Sequence, residues 1–83
     1  WTDFVFHIRW SATSSGLLEV WKNGTKMLTY TGVTNYDGYY MKIGDYKWPW
    51  SETNPGSIAT ERVLYIDDIR VGNAQATYAD VAP

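Results

Sequence analysis

The sequence predicts an all-β fold of antiparallel strands, and three observations lead to that prediction. Aromatic residues make up 17% of the chain, a share that suits half-buried, pleated strands. Short apolar runs are separated by turn-forming residues, and an Asn-Gly pair lies between two of these runs. We find no segment with the 3.6-residue periodicity of an amphipathic helix, so we expect strands joined by hairpins.

The length and composition limit the classes of protein to consider. The chain has 83 residues, so we expect residues 1–83 to form a single β-sandwich domain or a fragment of one. Seven basic residues against nine acidic ones give a net charge of -2, which argues against a nucleic-acid partner. No apolar run approaches the ~20 residues of a membrane-spanning helix, so we expect no membrane partner. Because the chain begins at Trp1 within a strand-like pattern, we expect a mature protein or a piece of a larger one.

The first element, WTDFVFHIRW, alternates between apolar and more polar residues over its whole length. One face carries Phe4, Phe6, Ile8 and Trp10, and the other carries Asp3, Val5, His7 and Arg9. This period of two predicts a half-buried strand. Residues 11–16, SATSSG, have the composition of a loop.

The second and third elements form a predicted hairpin around Asn23-Gly24. A two-residue type I′ turn needs a positive φ at both central residues, which Asn-Gly tolerates well. With the turn centred there, Lys22 faces Thr25, Trp21 faces Lys26 and Val20 faces Met27. Asn23-Gly24-Thr25 also matches the N-glycosylation sequon, although the turn alone explains these residues.

The second half of the chain contains two further predicted strands. The segment YYMKIGDY, residues 39–46, is followed by a long loop over 47–60, and RVLYIDDIRVG, residues 62–72, follows that loop. The tail after residue 72 predicts a short edge strand. Five or six strands leave one apolar sheet face uncovered. We therefore expect a small sandwich, pairing with missing strands of a parent protein, or a homo-oligomer.

The order of these motifs resembles the C-terminal part of polysaccharide lyases with the concanavalin A-like jelly-roll fold. The four motifs are WTDFVFHIRW, GLLEVWKNGTKM, GYYMKIGDYKWPW and RVLYIDDIRVGNAQATYADVAP. Together they cover nearly the whole chain and are similar to the heparin lyase I-like and glucuronan lyase group. The resemblance implies a jelly-roll sandwich, here a partial one, because such lyases are typically far longer.

The resemblance also implies a reaction, which is β-elimination within a uronate-containing acidic polysaccharide. By that resemblance, Tyr46 matches the catalytic tyrosine and Lys42 matches a substrate-binding lysine. Strand geometry would place Tyr40, Lys42, Gly44 and Tyr46 on one face, and a glycine within a strand often marks close approach of a ligand. A tyrosine can donate or accept the proton when a neighbouring cation lowers its pKa from about 10. The alternative from the residues alone is an aromatic strand whose lysine points to water.

Other candidate site residues lie outside that strand. His7, the single histidine, is a candidate catalytic base because histidine titrates near neutrality, and Arg9 is a candidate uronate contact. The alternative for His7 is an exposed residue without a role, since the family base lies in the missing strands. Trp48 and Trp50 offer rings for stacking on a sugar, or for fixing the loop to the sheet.

No metal site and no cofactor are expected. Asp67-Asp68 offer a weak case for Ca²⁺, because adjacent strand carboxylates point to opposite faces and cannot chelate together. Pairing of these carboxylates with Arg62 or Arg70 is the better interpretation.

Two other functions stay open at this point. One is a non-catalytic carbohydrate-binding or laminin G-like module that stacks sugars on its aromatic rings. The other is a structural β fragment that forms oligomers. The resemblance and the polymeric substrate together imply a secreted, extracellular protein.

Overall fold

A computed structural model describes residues 1–38, 40–46 and 59–83 of the chain. Within these residues lie three strands, β1 (Phe4–Arg9), β2 (Gly16–Lys22) and β3 (Thr25–Gly32), and one helical turn, α1 (Tyr78–Val81). Antiparallel strands and almost no helix confirm a partial all-β fold. No helix within the described residues is long and apolar enough to cross a membrane.

The chain divides into two compact units. The first unit contains Trp1–Tyr39 and Arg70–Pro83, and the second contains Tyr40–Ile69. The first unit holds the sheet and α1, whereas the second holds the segment that the sequence singled out for catalysis.

The sheet has the strand order β1-β2-β3, with both pairs antiparallel. In the β1–β2 pair, Val5 lies opposite Trp21 and His7 lies opposite Glu19. Residues opposite each other in an antiparallel pair share a face and lie about 5 Å apart. The β1–β2 register therefore brings together side chains from distant parts of the sequence.

The turn between β2 and β3 is the one that Asn23-Gly24 predicts. Asn23 has a φ of 47° and Gly24 a φ of 81°, as a type I′ turn requires. The Asn23 side chain also accepts a hydrogen bond from the Asp3 backbone N–H at 2.9 Å, while the Asn23 N–H donates to the Asp3 carbonyl at 2.9 Å. The turn is thereby tied to the start of β1.

The predicted hairpin register is confirmed next to the turn and is wrong one step further. Trp21 lies opposite Lys26, but Val20 lies opposite Leu28 instead of Met27. A bulge between Val20 and Trp21 inserts Met27 as an extra residue of β3. Periodicity did not reveal this bulge, because both Met27 and Leu28 are apolar.

The two faces of the sheet differ in composition and in cover. One face, called the apolar face below, is formed by Phe4, Phe6, Ile8, Leu18, Val20, Leu28 and Tyr30. Its residues in β1 are exposed, and Phe6 has 59% of its surface accessible. The opposite face carries Val5, which is 7% exposed and is the buried hydrophobic residue of the described core. The apolar residues Phe4, Phe6 and Ile8 indicated that their face of β1 is buried, but the buried residue of β1 is Val5, on the opposite face.

The C-terminal segment accounts for the burial of that opposite face. The Trp21 ring packs on the Tyr78 ring with centroids 5.2 Å apart, and α1 contacts β1. Thr77 precedes α1, and its N–H and hydroxyl both donate to the Asp80 carboxylate, which lowers the pKa of that carboxyl below its ordinary value. The predicted edge strand in this tail is wrong, since the chain forms a capped helical turn there.

The two strands predicted for the second half are not present among the described residues. Residues 40–46 and 59–72 have no ladder partner within the part of the chain that the structure describes. Gly44 and Asp68 both have a positive φ, of 152° and 52° respectively, which interrupts an extended strand. The apolar patterns indicated strands, but a strand exists only where a neighbour satisfies its backbone.

We predict that Gly16→Ala destabilises the sheet more than Gly24→Ala does. A Cβ at Gly16 would lie 2.1 Å from the Gly32 carbonyl oxygen, whereas a Cβ at Gly24 meets no atom of the described residues within 4 Å and is opposed there by the positive φ. We expect a loss of about 3 kcal/mol for the overpacked Gly16 variant and about 1 kcal/mol for the Gly24 variant. Urea denaturation followed by tryptophan fluorescence measures both, and equal losses would contradict the close approach at Gly16.

Candidate functional site

The segment Tyr40–Tyr46 presents its polar and aromatic groups to solvent. Tyr40 is 77% exposed and Tyr46 is 83% exposed. The Lys42 ammonium lies over the Tyr40 ring, 5.0 Å from its centroid, in a cation–π contact. Among the described residues, apart from the chain neighbours of Gly44, no atom lies within 4 Å of the place where Gly44 would carry a Cβ. No described side chain therefore blocks the approach of a ligand to the backbone at Gly44.

This segment is held by an ion pair within the second unit. The Arg62 guanidinium donates to the Asp45 carboxylate at 3.1 Å, which joins the residue before Tyr46 to the segment that begins at Ala59. Residues 40–46 are not a strand among the described residues, so strand alternation no longer supports a common face for Lys42 and Tyr46, and their joint site stays a prediction. The contact of Lys42 with Tyr40 is the direct link that the structure provides.

His7 takes part in a charged network on the sheet of the first unit. His7 Nδ1 lies 2.8 Å from Glu19 Oε1, and the Lys26 ammonium contacts the other oxygen of the same carboxylate. Lys26 also lies over the Trp21 ring, 5.0 Å from its centroid. One residue from each outer strand therefore contacts the Glu19 carboxylate of β2, and the network spans the sheet from β1 to β3.

Of the three members of this network, the sequence marked only His7 as a candidate site residue, and Glu19, which joins the other two, was not predicted. Its side chain is 16% exposed, compared with 59% for His7. The predicted hairpin places Lys26 opposite Trp21 and hence near Glu19. The Lys26–Glu19 contact could therefore be predicted from the sequence. The His7–Glu19 contact depends on the register of β1 against β2, which the composition of the loop at residues 11–15 does not define.

Arg9 forms a hydrogen bond with the loop that follows its strand. Its Nε donates to the Ser15 carbonyl at 2.7 Å. The Ser11–Ser15 loop is further held by hydrogen bonds among its own hydroxyl groups. The proposed role of Arg9 as a uronate contact stays a prediction.

A groove of about 460 Å³ lies in the first unit, between β1 and the C-terminal segment. It is lined by His7, Trp10, Trp21, Asn73, Thr77 and Tyr78, together with apolar residues of β1, among them Phe6 and Ile8, and of the C-terminal segment. Its volume falls within the range of about 300–1,000 Å³ that is usual for small-molecule sites.

The remaining candidate residues from the sequence are Trp48, Trp50 and the Asp67-Asp68 pair. Trp48 and Trp50 lie outside the described residues. Asp67 is not in a strand, and its carboxylate accepts a hydrogen bond from the Asp68 N–H at 2.8 Å. Within residues 1–38, 40–46 and 59–83, no group of three His, Cys, Asp or Glu side chains could hold a metal ion.

We predict that Lys26→Ala raises the pKa of Glu19 more than His7→Ala does. The hydrogen bond from Lys26 is the largest cause of the lowered pKa of Glu19, and the bond from His7 comes next. Titration of the Glu19 carboxyl carbon by NMR measures the change, and Lys22→Ala is the control because Lys22 is not among the causes of the lowered pKa of Glu19. A larger effect of His7→Ala would contradict the order of the two contacts.

The same pKa shift predicts how the network depends on pH. The pKa of Glu19 is lower in the folded chain than its ordinary value of 4.5. The stabilisation by this carboxylate is therefore fully present above that ordinary value, and it is lost as the pH falls through the lowered pKa. In acid titration, the wild-type chain should lose more stability across this window than Glu19→Gln does, and equal losses would contradict the prediction.

Comparison with known proteins identifies the family. The model of a family described as Polysaccharide lyase matches residues 1–70. The matched part includes the three strands and the segment that carries Lys42 and Tyr46. No curated protein and no solved structure matches the chain. Since the match covers more than half of the 83 residues, the chain belongs to this polysaccharide lyase family.

Proposed function

We propose that this chain contributes to β-elimination within a uronate-containing acidic polysaccharide, with Tyr46 as the proton donor. Membership of the polysaccharide lyase family supports the reaction class. The observation that carries the choice of residues is the exposed group around Gly44, in which Lys42 lies over Tyr40 beside an open stretch of backbone. We further propose that the chain is part of a jelly-roll fold of the concanavalin A-like type and belongs to the heparin lyase I-like group.

The proposed reaction follows the order of bond changes that β-elimination requires. A base removes the proton on C5 of the uronate, and the electron pair of that C–H bond forms a C4–C5 double bond. The C4–O glycosidic bond breaks, and its electron pair goes to the leaving oxygen. The Tyr46 hydroxyl donates its proton to that oxygen, so the products are a shorter chain with a hydroxyl end and an unsaturated uronate.

Lys42 has the task of stabilising negative charge on the substrate. Its ammonium is a compact point charge, suited to a uronate carboxylate that gains enolate character when C5 loses its proton. The Tyr40 ring holds the ammonium by the cation–π contact and offers a surface on which a sugar can stack. His7 belongs to the first unit, and its role as the base stays a prediction.

We predict that Tyr46→Phe abolishes the release of unsaturated uronate. The measurement is ultraviolet absorbance during incubation of the chain with glucuronan, heparin and alginate. Loss of a proton donor lowers the rate by about 10²–10⁴-fold. Tyr65→Phe is a matched control, because Tyr65 is 79% exposed in the same unit and lies outside the Tyr40–Tyr46 segment.

The outcome of this experiment also separates the alternatives. Cleavage by wild type that Tyr46→Phe retains would overturn the role of Tyr46. Binding without cleavage by wild type would favour a non-catalytic carbohydrate-binding module. Absence of both would leave a structural fragment, which pairs with parent strands or forms oligomers and shows a concentration-dependent mass.

We predict that Lys42→Ala raises KM for the acidic polymer and that Lys42→Arg restores most of the affinity. Arginine retains the positive charge and the contact with the Tyr40 ring. Lys22→Ala removes a charge from the turn of the other unit and should leave KM unchanged. Equal KM values for Lys42→Ala and wild type would remove Lys42 from substrate binding.

A polymeric substrate of this kind places the protein outside the cell, so we propose a secreted protein. Glucuronan, heparin and alginate differ in the uronate epimer and in sulfation. The three-substrate assay therefore identifies the substrate as well as the activity.

A further inference from the structure

We infer that the groove of the first unit is a second carbohydrate subsite, which holds one pyranose ring of an acidic oligosaccharide. Throughout, the groove means the space between β1 and residues 72–81. This inference rests on the proposed function for the class of ligand, and it adds a site remote in sequence from Tyr40–Tyr46.

The groove combines an apolar wall with a small number of polar groups. Trp10 lines it and is 57% exposed, so its ring presents free area to a ligand. Trp21 and Tyr78 line it as well, and they brace each other through their ring contact. A pyranose has an apolar face of C–H groups, and an exposed indole matches that face in shape and polarity.

Two polar side chains in the groove keep hydrogen-bonding capacity for a ligand. His7 uses Nδ1 for Glu19, and its Nε2 has no hydrogen bond to any described residue. Asn73 uses its carboxamide oxygen to accept from the Gln75 N–H at 3.0 Å, and its NH₂ has no hydrogen bond to any described residue. Hydroxyl groups of a sugar both donate and accept, so they complement an imidazole nitrogen and an amide NH₂.

Glu19 decides which role His7 plays in the groove. A neutral imidazole has one N–H and one lone-pair nitrogen, and the tautomer follows the hydrogen bond made by the other nitrogen. When Glu19 accepts from Nδ1 of a neutral imidazole, Nε2 is an acceptor for a sugar hydroxyl. Lys26 holds the second oxygen of Glu19, so the carboxylate is itself oriented.

The described lining of the groove is compatible with an acidic ligand. None of the described residues that line it is acidic. Arg9 lies on the same sheet face as His7, two residues along β1, and adds positive charge at the Trp10 end. A uronate carboxylate in the groove therefore meets the amide donor of Asn73 and no carboxylate among the described lining residues, and Arg9 precedes the lining residue Trp10 in the chain.

The test is NMR titration of the full chain carrying Tyr46→Phe, which prevents turnover of the probe. The probes are a glucuronic acid hexasaccharide and cellohexaose, which share their backbone and differ in the carboxylates. We expect the acidic probe to shift the amides of Gly72, Ala76 and Tyr78 and the ring signals of His7. Cellohexaose should bind at least about tenfold more weakly, because it lacks the charge.

Two variants test whether the acidic probe binds in the groove. Trp10→Ala should raise Kd about tenfold through loss of stacking, whereas Trp1→Ala should not, since Trp1 is 92% exposed and does not line the groove. Asn73→Asp keeps an acceptor for the Gln75 N–H but replaces the NH₂ donor by a carboxylate. It should weaken the acidic probe more than cellohexaose, because both probes lose the NH₂ donor and only the acidic probe is repelled by the new carboxylate, and it serves if Trp10→Ala fails to fold.

The outcomes separate this inference from the proposed function. Groove shifts that Trp10→Ala or Asn73→Asp weakens support the subsite, whether or not the wild-type chain cleaves the polymer. Shifts confined to residues 40–46, or equal Kd values for Trp10→Ala, Asn73→Asp and the parent chain, overturn it. In that case cleavage abolished by Tyr46→Phe still stands as evidence for the proposed function.

Discussion

The Asn23-Gly24 turn is the constraint on which the rest of the first unit depends. Two successive residues with positive φ allow a two-residue connection whose twist matches the strands. The turn places Lys26 opposite Trp21, and its asparagine side chain and backbone both bond to Asp3 at the start of β1. One local feature therefore aligns all three strands. The charged network and the wall of the groove are built on that alignment.

The sheet uses its two faces for different purposes. The face with Val5 is covered by the C-terminal segment through the Trp21–Tyr78 contact, and it carries the His7–Glu19–Lys26 network. The apolar face is open within the described residues, although burial of such side chains contributes about 1.5–3 kcal/mol each. An open apolar face on a three-stranded sheet fits the proposal that this chain pairs with another layer, which is either parent strands or a second copy.

Local contacts of the candidate site could be predicted from residues, and the contacts between distant residues could not, for physical reasons. The Lys42–Tyr40 contact joins side chains only two residues apart, so the aromatic-lysine pattern suffices to suggest it. The strand conformation of residues 40–46 could not be judged that way, because a strand needs a neighbour to satisfy its backbone. Glu19 was missed because its partner His7 is 12 residues away, across a loop whose composition does not define a register.

The sequence by itself determined the antiparallel β class, the hairpin turn, the first strand and, through its ordered motifs, the polysaccharide lyase family. These properties are local or depend on the order of motifs along the chain, so residue patterns carry them. Only the tertiary structure decided that His7 meets Glu19, that Met27 is the bulged residue and that Tyr78 packs on Trp21. Each of these depends on which distant segments pair, and that is set by the total burial and hydrogen bonding of the folded chain.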